Sequence, residues 1–511
     1  MQQRALPKIN GIEVGTTVNE ILNRHPAVGL AVAVVRDGRL EFFDGRGVAD
    51  IASKRPITED TVFRIASITK TFTAIAVVQL WEQGLVDLDA PVGDYLRSYE
   101  LIPAEVGHRP ATPRHLLTHT AGLGELAHVR GAVLPDFGES VKAGEPVPTL
   151  ADFYRGTLRL YAEPGNRFVY SNHGPATLGQ LVEDVSGIPL DRYFRERIFE
   201  PLGMTDSDLL RSKTVAQNLA TGYEIRSSGV TEVEDREMVT AGAASIYSTP
   251  RDMARYLAAL TGGGSNEHGS ILGAETLAMM FEPQYRPDPR IPGIGLGFFR
   301  VHIGGPIAVG HQGTHPGFHS QILLAPDAGV GVMVLTNGAG KADFWLPAEA
   351  SLLLRRLMGI PDRVVPTDVP HRPELWSDIC GWYRLSARVT DVRLRGMMGA
   401  GAEVYVRGGR LTLRFLTPIP ALARGFPLHP SDRDDPYMFL IDLSESGLDP
   451  MRVVFGQDPA GARTRLCLDV MPLVLDKQPA ITNPRRWTTG VAAVLGVATA
   501  ATVAGRRAGS R

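Results

Sequence analysis

Four prolines in fourteen residues, PDRVVPTDVPHRPE from Pro361 to Glu374, mark where the character of this chain changes. Each proline fixes φ and removes a backbone donor, so the stretch can continue neither a helix nor a sheet interior and reads as a stiff linker at 361–373. Before it, apolar residues recur at both helical and alternating spacings; after it, nearly every apolar run alternates. The 511 residues are therefore expected to form a mixed unit over 1–360, a small β-rich unit over 374–478 and an Ala/Val-rich tail over 479–511.

In the first unit, VGLAVAVV at 28–35, a turn at Asp37-Gly38 and a second apolar run at 40–43 predict a hairpin. Phe318–Ala325 and Val330–Thr336, joined by Pro326-Asp327, predict two more hairpin strands. Helices are predicted over 67–84, 177–185, 250–260 and 348–357. Strands at both ends with helices between them imply an α+β fold: one antiparallel sheet assembled from distant parts of the chain, with helices packed against it. Beyond the linker, VYVR and RLTLRF flank Gly408-Gly409, and YMFLIDL, RVVF and RLCLDV keep the period of two, which predicts an antiparallel barrel or sandwich.

Composition excludes several classes. Lys+Arg 53 against Asp+Glu 55 gives a net charge of −2, so no excess charge draws the chain to nucleic acid. Two cysteines, Cys380 and Cys467, permit one bridge at most, and no Cys/His spacing suits zinc. The N-terminal residues 1–15 carry no apolar signal segment, so a cytoplasmic start is expected. At the other end, GVAAVLGVATAATVAG at 490–505 is uncharged and flanked by Arg485, Arg486, Trp487, Arg506 and Arg507. It is short for a span and poor in strongly apolar residues, so a membrane anchor and a loose Ala-rich terminus both stay open.

Three clusters carry chemistry. The first is Ser67 and Lys70, three apart at the start of an apolar helix, where a serine hydroxyl meets an amine able to take its proton. With 22 serines and 7 lysines in 511 positions, about 0.3 such pairs arise by chance, so the pair gains weight only in company. Lysine is scarce beside 46 arginines, and one in a buried helix needs a reason to be there. The second is Tyr170-Ser171-Asn172 on a loop entering a helix, where a phenol can relay a proton and a carboxamide can hold a carbonyl. The third is His311-Gln312-Gly313-Thr314: Gly313 permits close approach of a strand, and the Thr314 amide can donate to an oxyanion. His311, His315 and His319 are four apart, but Gly313, Pro316 and Gly317 forbid the helix a metal site would need. His115 and His119 in RHLLTHTAG share that spacing and are read as framing a short helix and its exit.

No serine sits in a Gly-x-Ser-x-Gly elbow, and neither a phosphate-binding Gly-rich loop nor His-Glu-x-x-His occurs. The three clusters, with VFRIASITKTFTA, LLTHTAGL, PGNRFVYSNHGPATLGQLVEDVSG, FEPLGMTDS, STPRDMARYLAAL, GHQGTHPGF and LLAPDAGVGVMVLTN in that order, resemble the serine hydrolases of the β-lactamase and penicillin-binding type. The likeness is greatest to class C β-lactamases and their esterase and D-aminopeptidase relatives. It implies an antiparallel sheet flanked by helices with an α-helical subdomain, the site lying between them, and a lipocalin-like barrel after it. By motif position it implies Ser67 as nucleophile, Lys70 as its activator, Tyr170 as proton shuttle and Asn172 lining the acyl site, with the Ser67 and Thr314 amides as oxyanion hole. It implies no metal or organic cofactor and a small ester or amide as substrate.

His311 stands where β-lactam-binding relatives have the lysine of Lys-Thr-Gly, and Ala243-Ala244 where relatives often have Gly-Gly. The first departure removes a permanent positive charge and favours esterase-like or D-aminopeptidase-like substrates. A weak β-lactamase or DD-peptidase, and an inactive relative serving as a binding or scaffolding module, are the alternatives.

Overall fold

A computed structural model describes residues 8–9, 12–385, 392–446, 448–457, 461 and 464–485. The first unit is built on seven strands: β1 (Gly29–Arg36), β2 (Arg39–Asp50), β3 (Arg55–Pro56), β4 (Phe299–His302), β5 (Ile307–His315), β6 (Phe318–Ala325) and β7 (Val330–Thr336). They pair in the order β4-β5-β6-β7-β1-β2-β3, all antiparallel, so the last hairpins join the first one across the middle of the sheet.

The central strands are apolar at nearly every position because both faces are covered. Ala31, Ala33, Val35, Ile322, Leu324, Met333 and Leu335 point to one side, where α2 (Thr69–Glu82), α3 (His173–Ser186) and α4 (Pro250–Thr261) complete the larger core. Leu30, Val32, Val34, Leu323, Val332 and Val334 point to the other, against α1 (Val14–Arg24) and α5 (Ala342–Leu357). Everything between β3 and β4 is helices and short two-stranded ribbons.

The helix expected to start at 348 begins six residues earlier, with Pro347 inside it. Proline has no amide hydrogen, so the Asp343 carbonyl one turn back loses its helical donor; Gln312 Nε2 of β5 donates to it instead at 3.0 Å. The helix expected from 67 starts at Thr69, preceded by a 3-10 turn over Ala66–Ile68.

Residues 361–372 contain no helix or strand. Beyond them nine strands form the second sheet: β8 (Gly381–Arg384), β9 (Ala402–Arg407), β10 (Arg410–Phe415), β11 (Phe426–Pro427), β12 (His429–Pro430), β13 (Met438–Ile441), β14 (Met451–Gln457), β15 (Thr464–Leu468) and β16 (Leu473–Gln478). Their order is β11-β10-β9-β8-β16-β15-β14-β13-β12. Only Leu428 separates its two end strands in the chain, so the sheet curls into a nearly closed barrel, and side chains such as Tyr383, Leu413, Ile441, Phe455 and Leu475 fill it. Cys380 and Cys467 are both free. Among the described residues no helix is long and apolar enough to cross a membrane; the 490–505 run lies outside the described residues.

The barrel docks on the first unit through a shared core and ion pairs. Phe168 and Ile294 of the first unit pack into the barrel's cluster, with Phe299 and Tyr170 against it. Arg290 pairs with Asp435 at 2.8 Å and Asp288 at 2.8 Å and donates to the Phe455 carbonyl at 2.8 Å; Arg167 pairs with Asp476. These half-buried, charge-assisted contacts fix the barrel's position. Arg290→Ala is expected to cost about 2 kcal/mol, between the values for exposed and buried pairs, read as a lowered first unfolding transition in scanning calorimetry; an unchanged thermogram would show that the ion pairs add nothing to docking.

Candidate active site

Ser67 follows a buried strand, Phe63-Arg64, whose guanidinium is fully enclosed and pairs with Asp235 at 2.8 Å. Between them the backbone turns sharply: Ala66 has φ +49, a left-handed conformation costly for a residue with a Cβ. Two contacts hold it there. Ser320 Oγ on β6 donates to the Ile65 carbonyl at 2.8 Å, and Gly313 on β5 lies so close that a Cβ there would sit 2.2 Å from the same oxygen and 3.2 Å from Ala66 Cβ. Gly313 is thus required by the approach of β5 to the turn that presents the serine. That approach brings the neighbouring Thr314 backbone to the same turn.

The 3-10 turn keeps Ser67 and Lys70 on one side. Lys70 is 2% exposed, and its Nζ lies 2.8 Å from Ser67 Oγ, 2.9 Å from Asn172 Oδ1 and 3.0 Å from the Ala243 carbonyl. The last two atoms can only accept, so they take two N–H bonds and turn the remaining position of Nζ toward the serine oxygen. The carbonyl comes from the Ala243-Ala244 departure, and Ala244 lines the cleft. Tyr170 stands over the pair, its ring centroid 5.0 Å from Lys70 Nζ. Its ring also lies 4.5 Å from that of His119 and 6.3 Å from that of His311. All seven residues singled out in the three sequence clusters therefore converge here: Ser67, Tyr170, Asn172, His311 and Thr314 line one cleft, with Lys70 behind Ser67 and Gly313 beneath it.

His311 is buried, and burial together with the charge of Lys70 pushes its pKa down to about 3. Its Nδ1 lies 2.6 Å from the Gln312 carbonyl. A carbonyl accepts only, so Nδ1 carries the hydrogen and Nε2, without a hydrogen-bond partner, carries the lone pair. His315 lies on the same face of β5, whereas His319 is across the pair from Thr314 on β6. Among the described residues no three metal-ligating side chains gather.

Three contributors escaped the sequence reading. His115 does belong to a short helix, Pro113–Leu117, capped by Thr112. His119, however, does more than frame its exit: in a left-handed conformation (φ +55) it turns its fully buried ring onto Tyr170, and burial plus Lys70 holds it neutral. Glu139 is 2% exposed and accepts from Asn172 Nδ2 at 2.9 Å and from Thr240 Oγ1 at 3.1 Å. The third is the barrel, whose loops between β13 and β14 and between β15 and β16 supply Leu443, Leu448, Val470 and Met471 to the cleft, with Met451 from the start of β14. The cleft encloses about 1020 Å³, and Phe299, Val301, Phe344 and Leu134 continue its apolar lining.

Residues 15–354 fit the Beta-lactamase family model. The chain belongs to the beta-lactamase family. Esterase EstB from Burkholderia gladioli is 28% identical over 358 residues, 63% of this chain and 88% of its own length. A Beta-lactamase from Yersinia enterocolitica is 30% identical over 259 residues, 50% of this chain; the match spans only 61% of that protein. Among solved structures, the octameric penicillin-binding protein homologue from Pyrococcus abyssi superposes with a TM-score of 0.56 at 26% identity, over 91% of this chain and 100% of the other. Membership places the chain among the serine hydrolases of the β-lactamase and penicillin-binding superfamily.

The buried histidines set an acid limit on the fold. His311, at about 3, and His315, at about 4 through burial and then Arg64, are neutral when folded, whereas in the unfolded chain they protonate near 6.5. The unfolded state thus binds more protons below pH 6.5, and stability falls as pH drops, by about 1.4 kcal/mol per pH unit for each histidine, until the folded pKa is reached. Asp252 and Asp469, raised to about 6 by burial, act in the opposite sense below pH 6, so the histidine contribution is read as a difference. Urea unfolding at pH 7, 6 and 5 is expected to lose one proton of pH dependence in His311→Gln, and an identical pH dependence in the two proteins would contradict the burial of His311.

Proposed function

We propose that the chain is a carboxylesterase-like serine hydrolase working through a Ser67 acyl-enzyme on uncharged, largely apolar esters, with amides of the D-aminopeptidase type as the next substrate class. The observation that carries the choice is His311. Facing the nucleophile, where a Lys-Thr-Gly lysine would offer a cation to a carboxylate, stands a neutral imidazole whose free nitrogen bears a lone pair. Such a group repels a carboxylate, and the apolar wall given by Phe299, Met451 and Val470 suits an uncharged group there, although Arg226, Lys341 and Arg363 also line the cleft.

In the proposed reaction Lys70 Nζ removes the Ser67 hydroxyl proton as Oγ bonds to the carbonyl carbon. The carbonyl oxygen takes the electron pair and is held by the backbone N–H groups of Ser67 and Thr314. The proton passes through Tyr170 to the leaving alkoxide or amine, and the C–O or C–N bond breaks. Asn172 lines the acyl side, and Gly313 keeps the two oxyanion donors close together. Water then attacks the acyl-enzyme with Lys70 and Tyr170 returning the proton to Oγ.

A fluorophosphonate probe is expected to label Ser67 in the native protein and not in Ser67→Ala; a folded protein that never labels would remove the reading. In a panel of nitrophenyl esters, D-amino-acid amides and a chromogenic cephalosporin, kcat/KM should be greatest for the esters by at least about tenfold, the scale of one lost charge-assisted contact. The β-lactamase reading draws support from the Yersinia relative. It predicts cephalosporin turnover that rises in His311→Lys; if the native protein already prefers the cephalosporin, the esterase assignment fails.

A further inference from the structure

Glu139 is a carboxylate withdrawn from water, 2% exposed, with no arginine or lysine ion pair among the described residues. It is delivered by an unusual turn: Asp136, Phe137 and Gly138 are successive left-handed residues at φ +46, +56 and +79. Beyond them its carbonyl accepts from Val239 at 2.7 Å, and a short ribbon of Ser140–Lys142 with Arg236–Met238 follows. A buried charge held this firmly is costly unless something balances it. Its neighbours are Asn172, Thr240 and His173, whose Nε2 is 3.6 Å away. His173 is kept neutral by its own burial and bonded to Tyr154, whose phenol is also buried. Among the described residues its hydrogen bonds lead to one cation, Lys70, through a single amide: Glu139 Oε2 to Asn172 Nδ2 at 2.9 Å, and Asn172 Oδ1 to Lys70 Nζ at 2.9 Å.

The order of atoms in that chain is forced. A carboxylate only accepts, so it must take the Nδ2 end of the amide, which leaves Oδ1 for the lysine. With the amide reversed, Asn172 would aim a donor at a donor and push Lys70 off Ser67. Among the described contacts of Lys70, the Ala243 carbonyl is fixed backbone, Tyr170 presents its ring, and His119 and His311 are neutral.

Resting on the reading of Ser67 and Lys70 given above, we propose that Glu139 is a positioning residue for acyl transfer: it locks the Asn172 amide so that Oδ1 orients Lys70, and its charge favours the ammonium formed when Lys70 takes the serine proton. The bonds made and broken are those of the serine step alone. The Oγ–H bond breaks, the Nζ–H bond forms, and the proton goes on through Tyr170; Glu139 neither gains nor loses a proton.

The test is the pH profile of kcat/KM for a nitrophenyl ester with the native chain, Glu139→Gln and Glu139→Asp, each checked by circular dichroism. In Glu139→Gln the ammonium loses its counter-charge, so Lys70 reaches its neutral form at lower pH. The acid limb should move down by at least half a pH unit while the plateau kcat falls about tenfold or more and KM stays within twofold. Glu139→Asp keeps the charge but retracts it by one methylene, so its limb should coincide with the native one and only its plateau should fall. A folded Glu139→Gln with an unmoved limb overturns the proposal, as does a limb that moves in Glu139→Asp, which serves alone if the glutamine variant does not fold. Native protein that neither labels nor turns over ester would instead overturn the esterase reading.

Discussion

Everything at this site depends on one close packing of backbone on backbone. Strand β5 runs past Ile65 and Ala66 with no room for a side chain at Gly313, and the Ser320 hydroxyl on β6 bonds the Ile65 carbonyl. The sheet therefore clamps the left-handed turn that ends at Ser67. A turn of that kind is costly for alanine and persists only where surrounding structure over-determines it. Here the surroundings are the apolar core on one face of the sheet and the fully buried helix α2 behind the serine. The geometry around Ser67 is thus a consequence of sheet packing: β5 has its position because β6, β7 and β1 have theirs, and the core area they bury exceeds the cost of one strained residue.

How much of this was legible follows from which signals are local. Phe318–Ala325 and Val330–Thr336 could be read to the residue because unbroken apolar runs between turn residues leave little choice. Ser67 and Lys70 could be paired because three residues along a tight turn is a fixed distance, and Tyr170 and Asn172 for the same reason. Glu139 could not. It reaches Asn172 across 33 residues from a loop without periodicity, and left-handed Asp136 and Phe137 have no sequence signature comparable to glycine. The Ala243 carbonyl was invisible for a simpler reason: a backbone acceptor leaves no mark on side-chain identity. His119 was read as a helix exit because its neighbours say so; only the fold swings its ring onto Tyr170.

Pro347 illustrates the opposite error. The helix expected over 348–357 starts instead at Ala342 and carries Pro347 inside it, where proline removes a helical donor. In the folded chain the carbonyl that proline orphans is taken by Gln312, two residues along β5 from Thr314. The sheet repairs the helix, and the repair ties β5 to α5. Thr314 adds a second tie through its hydroxyl to Asp343 on the same helix. A local rule was overridden by a tertiary contact that also serves the site.

The charge arrangement gives a reason for histidine at position 311 beyond substrate choice. Lys70 is buried, and its charge is one of the causes that depress both His119 and His311. The apolar barrel loops that close the cleft lower the local dielectric, which strengthens repulsion between like charges as well as attraction between unlike ones. A second lysine at 311 would face Lys70 across this enclosed space, where the buried Glu139 carboxylate is already committed to Asn172. Repulsion would then favour the neutral form of one lysine or draw in an anion to balance both. A site meant for carboxylate-bearing ligands can use that deficit, because the ligand itself supplies the missing charge. One for neutral esters, as proposed, cannot, and a buried imidazole held neutral by burial and by Lys70 adds no second cation beside the serine. The barrel wall, the histidine and the buried Glu139 carboxylate are therefore mutually consistent with the proposed uncharged substrate at that end of the cleft.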